Sequence, residues 1–332
     1  MRLRSRIKGL GMYVPPRVVT NDDLAKRFPT TDEWVRQRTG IEQRRYAEEG
    51  IAASDLGKIA AELAIEKAGI GKDEIDCILF ASLSPDHHFP GGGCYMQEKL
   101  GMRGVAVMDI RNQCTGFLYG LATADSFIRT GLFRNVLVVG AEVHSSALDY
   151  SEAGRDVAVL FGDGAGAAVV GLSEEEDRGF LSFDLHADGK FTRALYLDIW
   201  DISKKPYIAD GDMPRLTRYP QMDGKTVFKH AVTRLGETIH HTLRENEVTM
   251  DQVKLLIPHQ ANLRINEFVA RAFDLSEDRV HNNIQKYGNT TAASIPICLH
   301  EALELGKAKE GDLIMLAAFG AGFTWGSALM RY

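Results

Sequence analysis

The sequence predicts an α/β protein built from two similar halves. Strand-like and helix-like runs alternate along its 332 residues, which is the pattern of mixed sheets covered by helices. Several elements recur 176 or 177 positions later, from 56 to 232, from 78 to 255 and from 136 to 313, and this indicates an internal duplication. The segment 115–130 is apolar nearly all round, as a helix buried between two such halves would be. We therefore expect two halves, 1–175 and 176–332, with central buried helices.

The composition is that of an ordinary globular protein, with 45% apolar and 25% charged residues. A formal net charge of −6, without any stretch dense in Lys and Arg, argues against a nucleic-acid partner. No apolar run approaches the roughly 18 residues of a membrane span, and no signal-peptide core follows the first residues, so we expect a cytoplasmic protein without membrane contact. The four cysteines form no C-x-x-C pair, and we expect neither disulfides nor a metal site.

The first fifty residues combine a strand with two helices. A strand-like segment runs to Val14, and Thr20 or Asn21 is placed to cap a short helix. Trp34 then precedes Arg38 by four residues on a second helix, which sets an aromatic face beside a guanidinium and suits a planar base. The alternative is that Trp34 is a core anchor and Arg38 a surface charge.

Residues 54–69 have helical spacing, and residues 73–83 are typical of a strand. Asp86, His87 and His88 come next. Neighbouring residues on a strand point to opposite faces, so we do not expect these three to bind a metal.

Cys114 lies where a buried strand predicted at 104–110 meets the apolar helix. The positive end of the helix dipole and its unpaired N–H groups stabilise a thiolate, so we expect a lowered pKa and a reactive nucleophile. The alternative is a small apolar residue at a tight junction.

Two glycine-rich stretches, 161–170 and 319–329, occupy corresponding late positions in the two halves. The first lacks the Lys-Ser/Thr of a phosphate-binding loop and runs into a β-rich segment, so we do not expect nucleotide binding there. In the second stretch the glycines allow close backbone approach, and an exposed N–H could reach a neighbouring site.

His259 and Asn289 interrupt the apolar pattern of the second half at the ends of elements. A lone His at the end of a strand, such as His259, is usually a structural residue. However, His259 follows the strand that matches residues 78–81. Asn289 lies two residues before Thr291, the expected counterpart of Cys114, so the duplication predicts that the three side chains meet. A thiol, an imidazole and an amide suit acyl transfer through a thioester. A papain-like hydrolase is disfavoured, because its local cysteine signature is missing and the duplication is foreign to it.

Together these segments resemble β-ketoacyl-acyl-carrier-protein synthase III, over essentially the whole chain and in the right order. The motifs are 32–41, 111–117, 161–166, 258–264 (PHQANLR), 288–294 (GNTTAAS) and 319–329. The resemblance implies a thiolase-like fold, layered α-β-α-β-α, and a homodimer. It also implies a decarboxylating Claisen condensation of an acyl-CoA primer with malonyl-acyl-carrier protein, which starts fatty-acid synthesis and needs no cofactor beyond the coenzyme A thioester substrate.

The resemblance also implies roles for the site residues. Cys114 would be the nucleophile that takes the acyl group. His259 and Asn289 would hydrogen-bond the malonyl thioester carbonyl, and the N–H groups of Cys114 and Ala321 would hold the oxyanion. An amide cannot act as a base, so Asn289 is suited to donation. Related elongating synthases carry a second His in its place, so Asn289 favours the type that accepts acyl-CoA primers.

Further residues are assigned to binding by the same resemblance. Those expected around coenzyme A are Trp34, Arg38 and Arg155 at the adenine, and Gly224 and Asn262 along the pantetheine arm. Phe89 would reach across the dimer into the partner's acyl pocket. The basic patch expected to dock the acidic carrier protein consists of Arg264, Lys229 and Arg271.

Two segments depart from the family pattern, namely the polar residues at 111–113 and at 86–88. Either these residues satisfy one another behind the site, or they change the primer. One alternative is therefore a sister enzyme that uses a longer or functionalised primer for a specialised lipid or polyketide. The other is a non-catalytic subunit, which the joint presence of Cys114, His259 and Asn289 disfavours.

Overall fold

The computed structural model of the protein describes residues 3–199, 201–203, 205 and 218–332. The strands within these residues are β1 Ser5–Tyr13, β2 Val18–Thr20, β3 Gln43–Arg45, β4 Cys77–Ala81, β5 Ala106–Ile110, β6 Asn135–Glu142, β7 Gly164–Leu172, β8 Gly179–Ala187, β9 Leu195–Tyr196, β10 Gln221–Met222, β11 Val253–Pro258, β12 Leu313–Gly320 and β13 Thr324–Arg331. The helices there are α1 Asn21–Ala25, α2 Asp32–Thr39, α3 Ala53–Ala68, α4 Gly92–Lys99, α5 Gly116–Arg129, α6 Arg155–Ala158, α7 Gly224–Glu245, α8 Leu263–Ala272, α9 Ile284–Tyr287 and α10 Ser294–Glu304.

The first large sheet has five strands in the order β1-β7-β6-β4-β5. β7 is antiparallel to both of its neighbours, whereas β4 runs parallel to β6 and to β5. β4 and the apolar part of β6 are continuous hydrophobic runs whose residues are all buried. This is expected of central parallel strands that are covered on both faces.

The second large sheet has the order β11-β12-β13-β8. β11 is parallel to β12, and the other pairs are antiparallel. A parallel bridge between Leu256 and Val280 adds a contact at the outer side of β11. β8, β13, β12 and β11 therefore take the places that β1, β7, β6 and β4 have in the first sheet. The boundary predicted after residue 175 falls in the connection between β7 and β8.

Hydrophobic clusters show how the layers stack. In β4, Leu79 packs with Phe117 of α5 in a central cluster, while Phe80 faces an outer cluster that includes α3. In β12, Leu316 joins the same central cluster, and Met315 faces an outer cluster that includes α7. Helices α5 and α10 thus lie between the two sheets. The predicted α-β-α-β-α layering with central buried helices is confirmed.

Most local predictions agree with the structure, but one strand does not. Thr20 caps α1 and forms a capping box with Asp23. The strand predicted as buried at 104–110 is instead β5, an edge strand whose Met108 is 45% exposed. An edge strand has a neighbour on one side only, so its apolar residues remain open in a single chain. Among the described residues, no helix has both the length and the apolar character needed to cross a membrane.

Candidate active site

A cavity of about 660 Å³ lies at the carboxyl ends of strands from the second sheet. Its lining includes Cys114, His259 and Asn289, which are 6, 4 and 5% exposed. His259 follows the end of β11, and Gly320 ends β12 beside them. The structure therefore brings together the three side chains that the duplication predicted to meet, and their chemical roles remain to be tested.

Cys114 is held in a tight turn, Gln113–Thr115, between β5 and α5. Gln113 has a φ of 44°, a left-handed conformation that is uncommon outside glycine. The backbone N–H groups of Cys114 and Ala321 lie close enough to the thiol to favour its thiolate form. A Cβ built on Gly320 would stand 2.7 Å from the Cβ of Cys114. Only glycine at 320 therefore lets the end of β12 come this close to the nucleophile.

The pKa of Cys114 differs from the sequence expectation. Burial raises it to about 12, and the negative charge of Glu142 acts in the same direction. The N–H groups of Ala321 and of Cys114 itself lower it, but their effect is smaller. The expected lowering by the helix dipole was wrong, because the sequence did not reveal how completely the thiol is removed from water.

His259 is a neutral imidazole with one ring nitrogen anchored. Its backbone N–H donates to the carbonyl of Ala317 at 2.8 Å, and Nδ1 lies 2.5 Å from Ser294 Oγ. Nε2 is buried and has no hydrogen-bond partner among the described residues. Burial lowers the pKa of His259 to about 3. The ring is therefore uncharged at neutral pH, with Nε2 left for a ligand.

Asn289 is held by its backbone and by one end of its amide. Its N–H donates to the carbonyl of Leu160 at 2.8 Å, and its own carbonyl accepts from Gly162 N at 3.0 Å. Its side-chain Oδ1 accepts from the N–H of Thr291 at 2.8 Å. With the oxygen end used in this way, the amide presents Nδ2, a donor, to a ligand.

Glu142 is a buried carboxyl that the sequence analysis did not single out. It ends β6, is 0% exposed, and accepts from Ser82 Oγ at 3.2 Å, Ser84 Oγ at 2.5 Å and the Leu83 N–H at 3.2 Å. The N–H of Ala292, from the second half, also donates to it. Burial raises its pKa to about 7. In the sequence, Glu142 could have been recognised as the single charged residue that directly follows the apolar run 136–141.

Two guanidinium groups stack on Trp34, the residue that was predicted to lie at the adenine of coenzyme A. Arg38 Cζ lies 4.6 Å and Arg155 Cζ 4.4 Å from the centroid of the Trp34 ring. Trp34 and Arg38 line the cavity. These are ordinary cation–π distances, so a planar base that stacks on Trp34 must first displace a guanidinium.

Gly224 and Asn262 also line the cavity. Gly224 is the first residue of α7. Asn262 caps α8 by accepting from the Arg264 N–H at 3.0 Å, and its Nδ2 donates to the carbonyl of Arg38 at 3.0 Å. Asn262 therefore links α8 to α2, the helix that carries Trp34.

Phe89 and the polar residues before it have different surroundings. Phe89 is 81% exposed and is not part of the cavity lining of this chain. Asp86 accepts from the N–H of Ser54 at 3.1 Å and from its hydroxyl at 2.5 Å, and Lys99 lies 3.4 Å away. Asp86 is thus a structural residue that holds Ser54 at the start of α3. Its partners are Ser54 and Lys99 rather than the polar residues at 111–113.

Arg264, Lys229 and Arg271 are exposed on the neighbouring helices α7 and α8. The Arg264 guanidinium lies over the ring of Phe228, 5.8 Å from its centroid, and both residues line the cavity. Within the ranges that the structure describes, no group of three or more His, Cys, Asp or Glu side chains is arranged to hold a metal ion.

Two family models match the chain. Residues 108–189 match 3-oxoacyl-[acyl-carrier-protein] synthase III, and residues 243–332 match its C-terminal region. The chain is 45% identical over 326 residues to β-ketoacyl-[acyl-carrier-protein] synthase III of Geobacillus kaustophilus, with 98% of each chain covered. It is 43% identical over 326 residues to synthase III 1 of Bacillus cereus, again with 98% of each covered.

Solved structures give the same result. The structure of 3-oxoacyl-[acyl-carrier-protein] synthase III from Aquifex aeolicus superposes with a TM-score of 0.90 at 42% identity, over 99% of this chain and 100% of that one. The priming β-ketosynthase of the R1128 polyketide pathway gives a TM-score of 0.90 at 32% identity, over 99% and 96% of the two chains. The duplicated thiolase-like fold, the motifs and these relatives show that the chain belongs to the β-ketoacyl-[acyl-carrier-protein] synthase III family, the acyl-transferring condensing enzymes that start fatty-acid synthesis.

Proposed function

We propose that this chain carries out the condensation of its family in the cavity around Cys114. An acyl group passes from an acyl-CoA primer to the thiol and is then joined to the malonyl unit of malonyl-acyl-carrier protein. One observation carries the proposal: a thiol, a neutral imidazole and an amide, all buried, line one cavity, and the backbone N–H groups of Cys114 and Ala321 favour the thiolate.

In the first half-reaction, the sulfur of Cys114 attacks the thioester carbonyl carbon of the primer. The coenzyme A sulfur leaves with its electron pair and takes up the thiol proton, so no net charge is generated. The N–H groups of Cys114 and Ala321 stabilise the oxyanion that forms on the way. They already contact the sulfur to which the carbonyl carbon becomes bonded.

In the second half-reaction, the malonyl group loses CO₂ and its electron pair moves onto the thioester carbonyl as an enolate. His259 Nε2 and Asn289 Nδ2 donate to that oxygen. The enolate carbon then attacks the acyl-Cys carbonyl, and the Cys114 sulfur leaves with its electron pair and takes up a proton from solvent. A 3-oxoacyl-acyl-carrier protein is released. A neutral imidazole suits this role because it can carry a proton on Nε2 without the cost of a buried charge.

The entrance of the cavity supplies the binding residues. Coenzyme A would stack its adenine on Trp34 after one of the two guanidinium groups, Arg38 or Arg155, moves aside, and its pantetheine arm would pass Gly224 and Asn262. The acidic carrier protein would dock on the basic patch of Arg264, Lys229 and Arg271. Support for this patch is the exposure of all three residues, of which Arg264 lines the cavity, since a local positive surface can attract an acidic partner to a protein of net charge −6.

The assembly that we propose is a homodimer. Its support is the apolar, exposed edge strand β5 together with the 81% exposed Phe89, because such an edge is typical of strands that pair with another chain. Phe89 would enter the acyl pocket of the partner subunit. The halves 1–175 and 176–332, the lack of a cofactor and the cytoplasmic location remain predictions.

Intact-protein mass spectrometry after incubation with acetyl-, branched and medium-chain acyl-CoAs tests the proposal. One acyl mass should be added, and peptide mapping should place it on Cys114. Preference for acetyl or short branched groups supports initiation of fatty-acid synthesis, while preference for a longer group would support the sister enzyme of a specialised pathway. His259→Ala should still be acylated but lose malonyl decarboxylation. No adduct with any primer would contradict the proposal.

A further inference from the structure

Ser294 is a buried residue behind the cavity whose hydroxyl contacts the imidazole of His259. It is the first residue of α10 and is 2% exposed. Its Oγ lies 2.5 Å from His259 Nδ1 and 3.5 Å from the backbone N of Gln260. The contact is therefore made by the ring nitrogen that does not serve the ligand.

The partners of Ser294 Oγ determine the direction of this hydrogen bond. The Gln260 N–H is a donor, so it can satisfy the hydroxyl oxygen but not the hydroxyl hydrogen. In the part of the chain that the structure describes, His259 Nδ1 is the partner of Ser294 that has a lone pair to offer. A buried hydroxyl normally uses its hydrogen. Ser294 therefore donates to Nδ1, and the single proton of the neutral ring belongs on Nε2.

We infer that Ser294 is a positioning residue that fixes His259 in the tautomer with its proton on Nε2. In this tautomer the ring can donate to the malonyl thioester oxygen and stabilise the enolate. It cannot accept a proton from the thiol of Cys114 through the same nitrogen. The inference rests on the proposed function and adds to it which atom holds the proton.

The position of Ser294 in the duplicated fold explains how it comes to serve the site. It follows the turn Thr291–Ala293, which matches the nucleophile turn Gln113–Thr115. Thr291 and Gln113 have φ values of 49° and 44°. The turns are thus 178 positions apart, one more than the spacing of the strands, and the counterpart of Cys114 is Ala292 rather than Thr291.

This second turn has no cysteine. Thr291 within it and Ser294 directly after it nevertheless orient the two donors of the site, Asn289 and His259. The Thr291 N–H holds Asn289 Oδ1 at 2.8 Å, which leaves Nδ2 to face a ligand. Ser294 Oγ holds His259 Nδ1, which leaves Nε2. One copy of the turn therefore carries the reacting sulfur. The other copy helps to position the two side chains that donate hydrogen bonds to the enolate oxygen.

The direct test is ¹⁵N NMR of the full-length protein labelled at histidine. The His259 signals are those that disappear in His259→Ala. In the wild type, long-range ¹H–¹⁵N spectra should show a protonated Nε2 and a bare Nδ1. Ser294→Ala should give a mixture of the two tautomers. A wild-type proton on Nδ1, or an unchanged tautomer in Ser294→Ala, would overturn the inference.

The kinetic test separates positioning from general damage. Ser294→Ala should be acylated on Cys114 at the wild-type rate, whereas kcat for malonyl decarboxylation should fall by about tenfold to a hundredfold with little change in KM. Ser294→Thr keeps the hydroxyl and should recover most of the loss. If Ser294→Ala does not fold, Ser294→Thr and the wild-type spectrum decide the question.

Ser54→Ala is the matched control. Ser54 is also a buried serine whose hydroxyl makes a 2.5 Å hydrogen bond, but its partner is Asp86 and it does not line the cavity. This variant should lose stability and keep its decarboxylation rate. Equal losses of acylation and decarboxylation in Ser294→Ala would show a purely structural role. Failure of the wild type to take an acyl group would contradict the proposed function, whereas the tautomer measurement would still test Ser294.

Discussion

The close approach of β12 to the nucleophile predicts a strong effect of one added methyl group. In Gly320→Ala, the new Cβ would lie 2.7 Å from Cys114 Cβ and 3.2 Å from both its N and its Sγ. Ordinary carbon–carbon contacts are about 3.5 to 4 Å. The nucleophile turn or the end of β12 must therefore retreat by about 1 Å.

A shift of that size acts on the reaction more than on the fold. A misplacement of about 1 Å at a reacting group can cost about a hundredfold in rate. Overpacking costs roughly 1–3 kcal/mol of unfolding free energy, which is less than the roughly 5–15 kcal/mol of a typical protein. We expect Gly320→Ala to fold, with a lower melting temperature, and to acylate Cys114 about a hundredfold more slowly.

The assay is the time course of acyl-mass gain with a saturating acyl-CoA, beside a thermal melt. Gly236→Ala is the matched control, because Gly236 lies within α7 and a Cβ there meets no atom within 4 Å. That variant should keep its rate and gain roughly 0.5–1 kcal/mol of stability. A folded Gly320→Ala protein that acylates at the wild-type rate would refute the claim that this approach forms the site.

Three further predictions follow from the site. Cys114→Ala should gain no acyl mass from any primer while its circular dichroism stays native, and an adduct at another residue would reject Cys114 as the nucleophile. Trp34→Ala should raise KM for acyl-CoA by about tenfold to a hundredfold, because base–aromatic stacking is worth roughly 1–3 kcal/mol, and should leave kcat nearly unchanged in steady-state assays. The pKa of Glu142 is raised from 4.5 to about 7, so its contribution to stability is full below pH 4.5 and is lost as pH rises through 7. Glu142→Gln should remove that slope, and melting curves at pH 5 and pH 8 that shift equally in both proteins would contradict it.

Periodicity and spacing predicted a duplicated α/β unit with a central buried helix, whereas the thiolase-like layering was implied by the family resemblance. The recurrence near 177 residues predicted two copies of one unit, and the strand orders of the two sheets agree with it. The apolar character of residues 115–130 correctly predicted a helix between the layers. These properties depend on patterns repeated over many residues, so single exceptions do not obscure them.

The electrostatics of the site could not be predicted in the same way. The raised pKa of Cys114 depends on burial by the far end of the chain and on the charge of Glu142. The roles of Glu142 and Ser294 depend on partners far away in sequence, such as Ala292 and His259. For β5, the sequence shows the apolar pattern. Whether the strand is covered, however, depends on contacts with another chain.

The enclosure of Cys114 by Gly320 and Ala321 has a consequence for the newly made protein. A ribosome must have synthesised nearly the whole chain before the residues that cover this thiol exist. Until then the thiol ionises near its ordinary pKa of 9.0, rather than about 12 in the finished fold. The lower pKa leaves more of the thiol as thiolate, the form that oxidants and alkylating agents attack. The unfinished chain is therefore the form in which we expect this thiol to react more readily with such agents.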